Sequence, residues 1–216
     1  MKRIIAIVGD FYHPVEPIQR SLETALQKQL DERSVEIEYL SEDQLQAAME
    51  SKPDAVVFFK EDRLNPQDEV VHRWMNEETE AAIVQYVEQG GAWLGWHSGL
   101  ASYSPDGAYV GMLRGYFEYH PEKHSLVSYT ELLGGKPADQ AAFAIMDEHY
   151  FVHCDRSRTD VFLLSASKDG ESIAGWRHEA GEGRVVCFTP AHTEEGLLDA
   201  GLLQVLASCV DWCLSK

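Results

Sequence analysis

The feature that most constrains this chain is a set of short, unbroken apolar runs with helical segments between them. Arg3–Gly9, Asp54–Phe59 and Ala92–Trp96 carry almost no polar alternation. Runs of that kind suit strands buried on both faces, which is how parallel strands sit in α/β proteins. Between them, Pro17 opens a pattern with Ile18, Leu22, Ala25, Leu26 and Leu30 at helical spacing. Val35–Leu40 alternates and reads as a second strand, and Ser41 to Gln44 form a capping box ahead of Leu45, Ala48 and Met49. Asn76 caps a further helix with Glu77, Glu78 and Glu80 in its first turn, and Gly90-Gly91 stops it. Strand–helix alternation predicts a parallel sheet with helices on both faces.

The second half has a different grammar. Val161–Ser167, Glu171–Trp176 and Arg184–Phe188 are closely spaced strands joined by the turns Lys168-Asp169-Gly170 and Gly181-Glu182-Gly183. Leu197–Leu214 reads as a closing helix. The fold class expected is therefore α/β: a three-layer, flavodoxin-like sandwich with a mainly parallel central sheet and antiparallel hairpin additions in the C-terminal half. No composition break separates the halves, so residues 1–216 read as a single domain. A chain of 216 residues buries about 70% of its extended surface, enough for a core without disulfides or a structural metal.

Lys and Arg number 18 against 36 Asp and Glu, a net charge of −18. Such a surface repels phosphate backbones and anionic lipid, so neither nucleic acid nor membrane is an expected partner. The N-terminal apolar run is too short for a signal peptide, and Asp10 follows it. Cys154, Cys187, Cys209 and Cys213 form no Cys-x-x-Cys pair, and reduced thiols in the cytoplasm are the expected state. No Gly-x-Gly-x-x-Gly or P-loop follows a strand.

The most informative segment is Gly95-Trp96-His97-Ser98-Gly99, directly after an apolar strand. Glycines flanking a central residue suit a sharp strand-to-helix elbow, with His97 at the carboxyl edge of the sheet where doubly wound folds bind ligands. His97 is expected to be partly exposed to a pocket and, at a helix N-terminus, neutral. A second cluster, His192-Thr193-Glu194, also follows a strand; Glu194 would favour the imidazolium of His192. His120 with His124 and His149 with His153 are spaced i, i+4, without a specific metal signature, and His13 follows the first strand.

These motifs together resemble the trehalose-utilisation (ThuA-like) family, whose members have a class I glutamine amidotransferase-like fold. The resemblance spans nearly the whole chain. It is carried by Gly90-Gly91-Ala92-Trp93-Leu94-Gly95-Trp96-His97-Ser98, by Gly115 to Pro121, by Asp147-Glu148-His149-Tyr150, and by Ala174–Arg177, Gly181–Val185 and Ala191-His192-Thr193. Arg114-Gly115 stands where the family has Gly-Gly, and a second His-Pro before Asp147 is missing. In the amidotransferase pattern the elbow carries cysteine. Here it carries His97, so thiol-based glutamine hydrolysis is not expected. The resemblance implies a role in carbohydrate catabolism: general acid–base chemistry on, or binding of, a sugar or keto-sugar, as a hydrolase or isomerase.

His97, His192 and Glu194 are the catalytic candidates, and His13, Trp96, Ser98, His120 and Glu148 the substrate-binding ones. Trp96, Tyr103, Tyr116, Phe117 and Tyr119 are aromatic candidates for stacking on a sugar face. The expected partner is a small-molecule carbohydrate, and a homo-oligomer is allowed. No cofactor is expected in this reading. Two alternatives stand beside it: a metal-dependent hydrolase or isomerase using a divalent ion such as zinc held by His13, His97 or His120, and a non-catalytic ligand-binding or partner module.

Overall fold

The computed structural model describes residues 1–215. β1 (Lys2–Val8), β2 (Val35–Tyr39), β3 (Ala55–Phe59), β4 (Ala92–Trp96) and β12 (Gly183–Phe188) form a parallel array in the order β2-β1-β3-β4-β12. This is the doubly wound order 2-1-3-4-5. Antiparallel strands continue the same sheet: β11 (Gly170–Ala180) on β12, then β10 (Asp160–Ser167), β6 (Ser125–Leu133), and β7 (Lys136–Pro137) and β8 (Phe143–Asp147), both on β6. A separate two-stranded ribbon pairs β5 (Gly115–Tyr119) with β9 (Phe151–Cys154). Fold class and strand grammar match the sequence expectation.

The sheet separates two cores. One face packs α1 (Val15–Ala25) and α7 (Ala200–Leu214) over Ile4, Val57, Leu94 and Val186. The other packs α3 (Leu45–Glu50), α4 (Glu77–Glu88) and α5 (Ala108–Leu113) over Ile5, Val56, Trp93 and Val185. Successive residues of one strand go to opposite faces, which is why these strands needed to be apolar throughout. Accessible surface is 10392 Å², close to the roughly 10,000 Å² expected for a compact chain of this mass.

Local signals held where chain neighbours decide. Asn76 accepts the Thr79 N–H at the start of α4, and the Ser41–Gln44 capping box forms ahead of α3, around a short 3-10 turn. Three helix expectations are corrected. The first helix breaks at Leu26 and restarts as the short α2 (Gln27–Asp31). The closing helix is two, α6 (Glu194–Leu197) and α7, because Asp199 caps a fresh N-terminus at Gly201 and Leu202. After β4 there is one 3-10 turn, His97–Leu100, instead of a helix. No helix among the described residues is long and apolar enough to cross a membrane.

Candidate functional site

The carboxyl edge of the parallel strands gathers the titratable groups. β4 ends at Trp96, and His97 follows with φ +45° in the left-handed region. The elbow requires Gly99: a Cβ there would lie 2.2 Å from the Phe58 carbonyl oxygen of the neighbouring strand. That close approach turns the chain and swings the His97 imidazole beneath the site. Trp96, expected to stack on a ligand, points into the core, where its indole N–H donates to the Pro190 carbonyl.

His97 is fully buried (0% exposed), where partial exposure was expected. Its Nδ1 lies 2.6 Å from the Thr189 carbonyl oxygen and must donate, which leaves Nε2 as a bare acceptor. That Nε2 is buried and has no hydrogen-bond partner. Burial, reinforced by the nearby His13 and His192, holds the His97 pKa well below the usual histidine value. The ring is thus neutral, as the sequence suggested. Desolvation is the cause, since no true helix N-terminus stands over it.

His13 comes from the loop after β1. Its Nδ1 donates to Asp10 Oδ1 at 2.6 Å, and its Nε2 faces His192 Nδ1 at 2.9 Å. Asp10 is held in turn by the Ser98 hydroxyl at 2.6 Å and the Glu61 N–H at 3.2 Å. Ser98, a candidate ligand contact, therefore braces a carboxylate. Burial opposes ionisation of Asp10, but the His13 and Ser98 hydrogen bonds override it and lower its pKa.

His192 follows β12, and its backbone N–H donates to Asp147 Oδ1 at 2.7 Å. The carboxylate beside its ring is Glu148, 3.3 Å from Nδ1. Glu194, expected in that role, is an exposed first-turn residue of α6 that pairs with Arg20, so the His192–Glu194 pairing is corrected. Burial would lower the His192 pKa, but the Glu148 carboxylate outweighs it and the pKa is raised. Glu148 responds in kind: burial works against its charge, yet His192 and His120 bring its pKa below the usual value.

Glu148 is the hub. Besides His192, its oxygens lie 3.5 Å from His120, 3.9 Å from His97 and 4.0 Å from His124. Asp147 sets its position, accepting the Glu148 N–H at 3.0 Å and the Tyr129 hydroxyl at 2.8 Å. Burial pushes Asp147 up to about 6. Over these groups opens a cavity of about 330 Å³ walled by Tyr12, Phe117, Tyr150, Glu61, Arg63 and Ser102. Two larger hollows, about 470 and 730 Å³, lie elsewhere, one at the amino edge of the sheet and one along β10, away from the histidines.

Of the aromatic candidates, Phe117 alone reaches this cavity. Tyr103 is buried on the Lys60 carbonyl, Tyr116 stacks on His153, and Tyr119 stacks on Phe151. Tyr150 was missed as a wall residue; its ring stacks on His97 with centroids 4.2 Å apart. Asp10, Glu61 and Arg63 were also missed. A signal existed, because Asp10, Glu61, His97 and His192 all stand within four residues of the end of a parallel strand. Burial pushes all four cysteine thiols up, Cys213 to about 12, so none is an activated nucleophile.

Fold and site define a doubly wound α/β protein whose crevice at the carboxyl edge is lined by imidazoles and carboxylates. The family model for ThuA, trehalose utilisation, matches residues 10–213, and the chain belongs to that family. Among solved structures it is similar to a ThuA-like protein from Bacteroides uniformis, with a TM-score of 0.70 and 14% identity over 100% of this chain and 92% of that one. A ThuA-like protein from Parabacteroides merdae gives a TM-score of 0.69 and 12% identity, covering 99% and 90%. A β-galactosidase from Bacillus circulans shares the fold over 98% of this chain but 30% of its own, with a TM-score of 0.61 and 13% identity. No curated protein matches the chain.

Proposed function

We propose that the crevice binds a sugar or keto-sugar and moves protons on it, with Glu148 at the centre of the traffic. The observation that carries this reading is the Glu148 carboxylate, within 4.0 Å of four imidazoles and facing a cavity of about 330 Å³. Ligand sites of that size take one small molecule and hold it by a few convergent polar groups among apolar walls. Phe117, backed by the buried Tyr150, offers the apolar face that a sugar ring needs; Glu61, Arg63 and Ser102 offer hydrogen bonds to hydroxyls. Glu148 takes a proton from a hydroxyl or an activated C–H and returns one to a neighbouring oxygen or carbon of the same ligand. His97, neutral and buried, contributes a lone pair from below. Membership in a trehalose-utilisation family supports the carbohydrate part of the reading.

The test is an NMR screen of neutral sugars, their keto derivatives and polyols with the wild-type chain and Glu148→Gln. Turnover of a sugar that disappears in the variant is the expected result. Binding without turnover would favour a ligand-binding module. Absence of any interaction with the panel would end the carbohydrate reading.

A further inference from the structure

We infer that His13, His97 and His192 form a binding site for one divalent transition cation of the zinc class. The three side chains come from three separate loops at the carboxyl edge, and each offers a ring nitrogen within 4.8 Å of the other two. Ring centroids are 4.6 to 5.7 Å apart.

The hydrogen bonds around the cluster decide which nitrogens are free. His13 Nδ1 is committed to Asp10 and His97 Nδ1 to the Thr189 carbonyl. Both rings are thereby held in the tautomer that leaves Nε2 unprotonated. An imidazole whose far nitrogen donates to a carboxylate or a backbone carbonyl is the usual outer shell of a metal-binding histidine.

A chain of hydrogen bonds without an ion explains only part of this. It accounts for His13 and His192, whose facing nitrogens are 2.9 Å apart. It leaves His97 Nε2 buried, bare and unpartnered. Burying such an acceptor is unfavourable unless something fills the role. A cation on all three nitrogens satisfies that atom as well. Tetrahedral zinc at about 2.1 Å from each nitrogen asks for nitrogens about 3.4 Å apart; small ring rotations bring a 4.8 Å spread to that spacing.

Charge and openness agree. Asp10 behind His13 and Glu148 beside His192 supply two carboxylates against a double positive charge. Three imidazoles select zinc, copper, nickel or iron over magnesium and calcium. Glu148 and the cavity occupy the remaining side, so the site keeps an open position, as catalytic metal sites do and structural ones do not. An ion there would polarise a hydroxyl or carbonyl oxygen entering the cavity next to Glu148. His124, Glu148 and His192 make a second, more exposed group. It shares two members with the crevice and lacks a buried, unpartnered nitrogen.

The three histidines would hold the ion whether or not the crevice takes a sugar. Its test uses the full, untagged chain, stripped with chelator and titrated with Zn²⁺ and Co²⁺. The expected result is one ion per chain, a rise in Tm on addition of Zn²⁺, and tetrahedral Co²⁺ absorption bands. His97→Gln and His13→Gln should weaken binding at least 100-fold, Asp10→Asn about 10- to 100-fold, and His124→Ala not at all. Long-range ¹H–¹⁵N spectra of the wild type supply a readout independent of variant folding: zinc should shift Nε2 of His13 and His97. Failure to bind either ion, unmoved Nε2 signals, or binding that needs His124 and survives His97→Gln would overturn the inference.

Discussion

His97 and His149 are both buried imidazoles, 0% and 1% exposed, yet their surroundings differ in kind. His149 sits over the antiparallel extension with both ring nitrogens satisfied, Nδ1 by the Ser167 hydroxyl at 2.8 Å and Nε2 by the Ser165 hydroxyl at 2.9 Å. His97 sits at the parallel edge with one nitrogen satisfied and one bare, among two other imidazoles and a carboxylate. A fully bonded buried histidine is finished as structure. A half-bonded one, in a strained backbone and beside a cavity, is held for something else. Burial alone therefore does not tell these imidazoles apart, and neither does a bare nitrogen, since the buried His178 also keeps an unpartnered Nδ1; what sets His97 apart is a bare nitrogen that faces other imidazoles and a carboxylate.

The comparison is sharpened most by Glu148→Gln. On any sugar the protein turns over, kcat should fall about 10²- to 10⁴-fold, while Tm stays within a few degrees of wild type. A variant that keeps full activity would move the chemistry away from the parallel edge.

His149→Ala should do the reverse. It strips two serine hydroxyls of a buried partner and leaves a hole, costing about 3 kcal/mol. Urea unfolding is the measurement, and turnover should be nearly unchanged. Lost activity with unchanged stability would erase the distinction between the two imidazoles.

His178 tests the same region by pH. Burial, and then the Arg114 charge, depress its pKa to about 4, while Nε2 donates to the Met112 carbonyl. The unfolded chain binds a proton there below about 6.5 and the folded chain does not until about 4. Its share of stability is therefore present above pH 6.5 and is lost as pH falls toward 4. By linkage, wild type should lose about 2 kcal/mol more than His178→Gln between pH 7.5 and 5.0. Equal losses in the two proteins would mean that His178 is already charged when folded.

The smallest effect is expected at Glu194. Its partner Arg20 is about half exposed, and exposed ion pairs contribute roughly 0–1 kcal/mol. Glu194→Gln should change Tm by no more than a degree or two and leave turnover unchanged. A large loss of activity would return Glu194 to the site.

The parallel half was legible because its signals are local. Apolar runs at β1, β3 and β4, the Asn76 cap and the glycines around His97 depend on neighbours a few residues away. The helix expected after the elbow failed because β4 gives way to a single 3-10 turn that Gly99 packs against the Phe58 carbonyl, a contact with another strand. The partner of His192 was misjudged for the same reason. Glu194 is near in sequence, whereas Glu148 is brought in from the end of β8 by the antiparallel extension, with Asp147 accepting both the His192 and the Glu148 backbone N–H groups.

By itself, then, the sequence determined where strands buried on both faces lie, which residues stand at their carboxyl ends, and that the elbow carries an imidazole instead of a thiol. Hydrophobic period, caps and glycine conformation are properties of short stretches of chain, and they survive without knowledge of the fold. Tertiary structure alone decided which carboxylate meets which imidazole, which aromatic walls the cavity and which nitrogen is left bare. Those are distances between loops far apart in sequence, set by the order of strands in the sheet. Nothing in the local pattern around His97 encodes that Thr189 will take one of its nitrogens and that no protein atom will take the other.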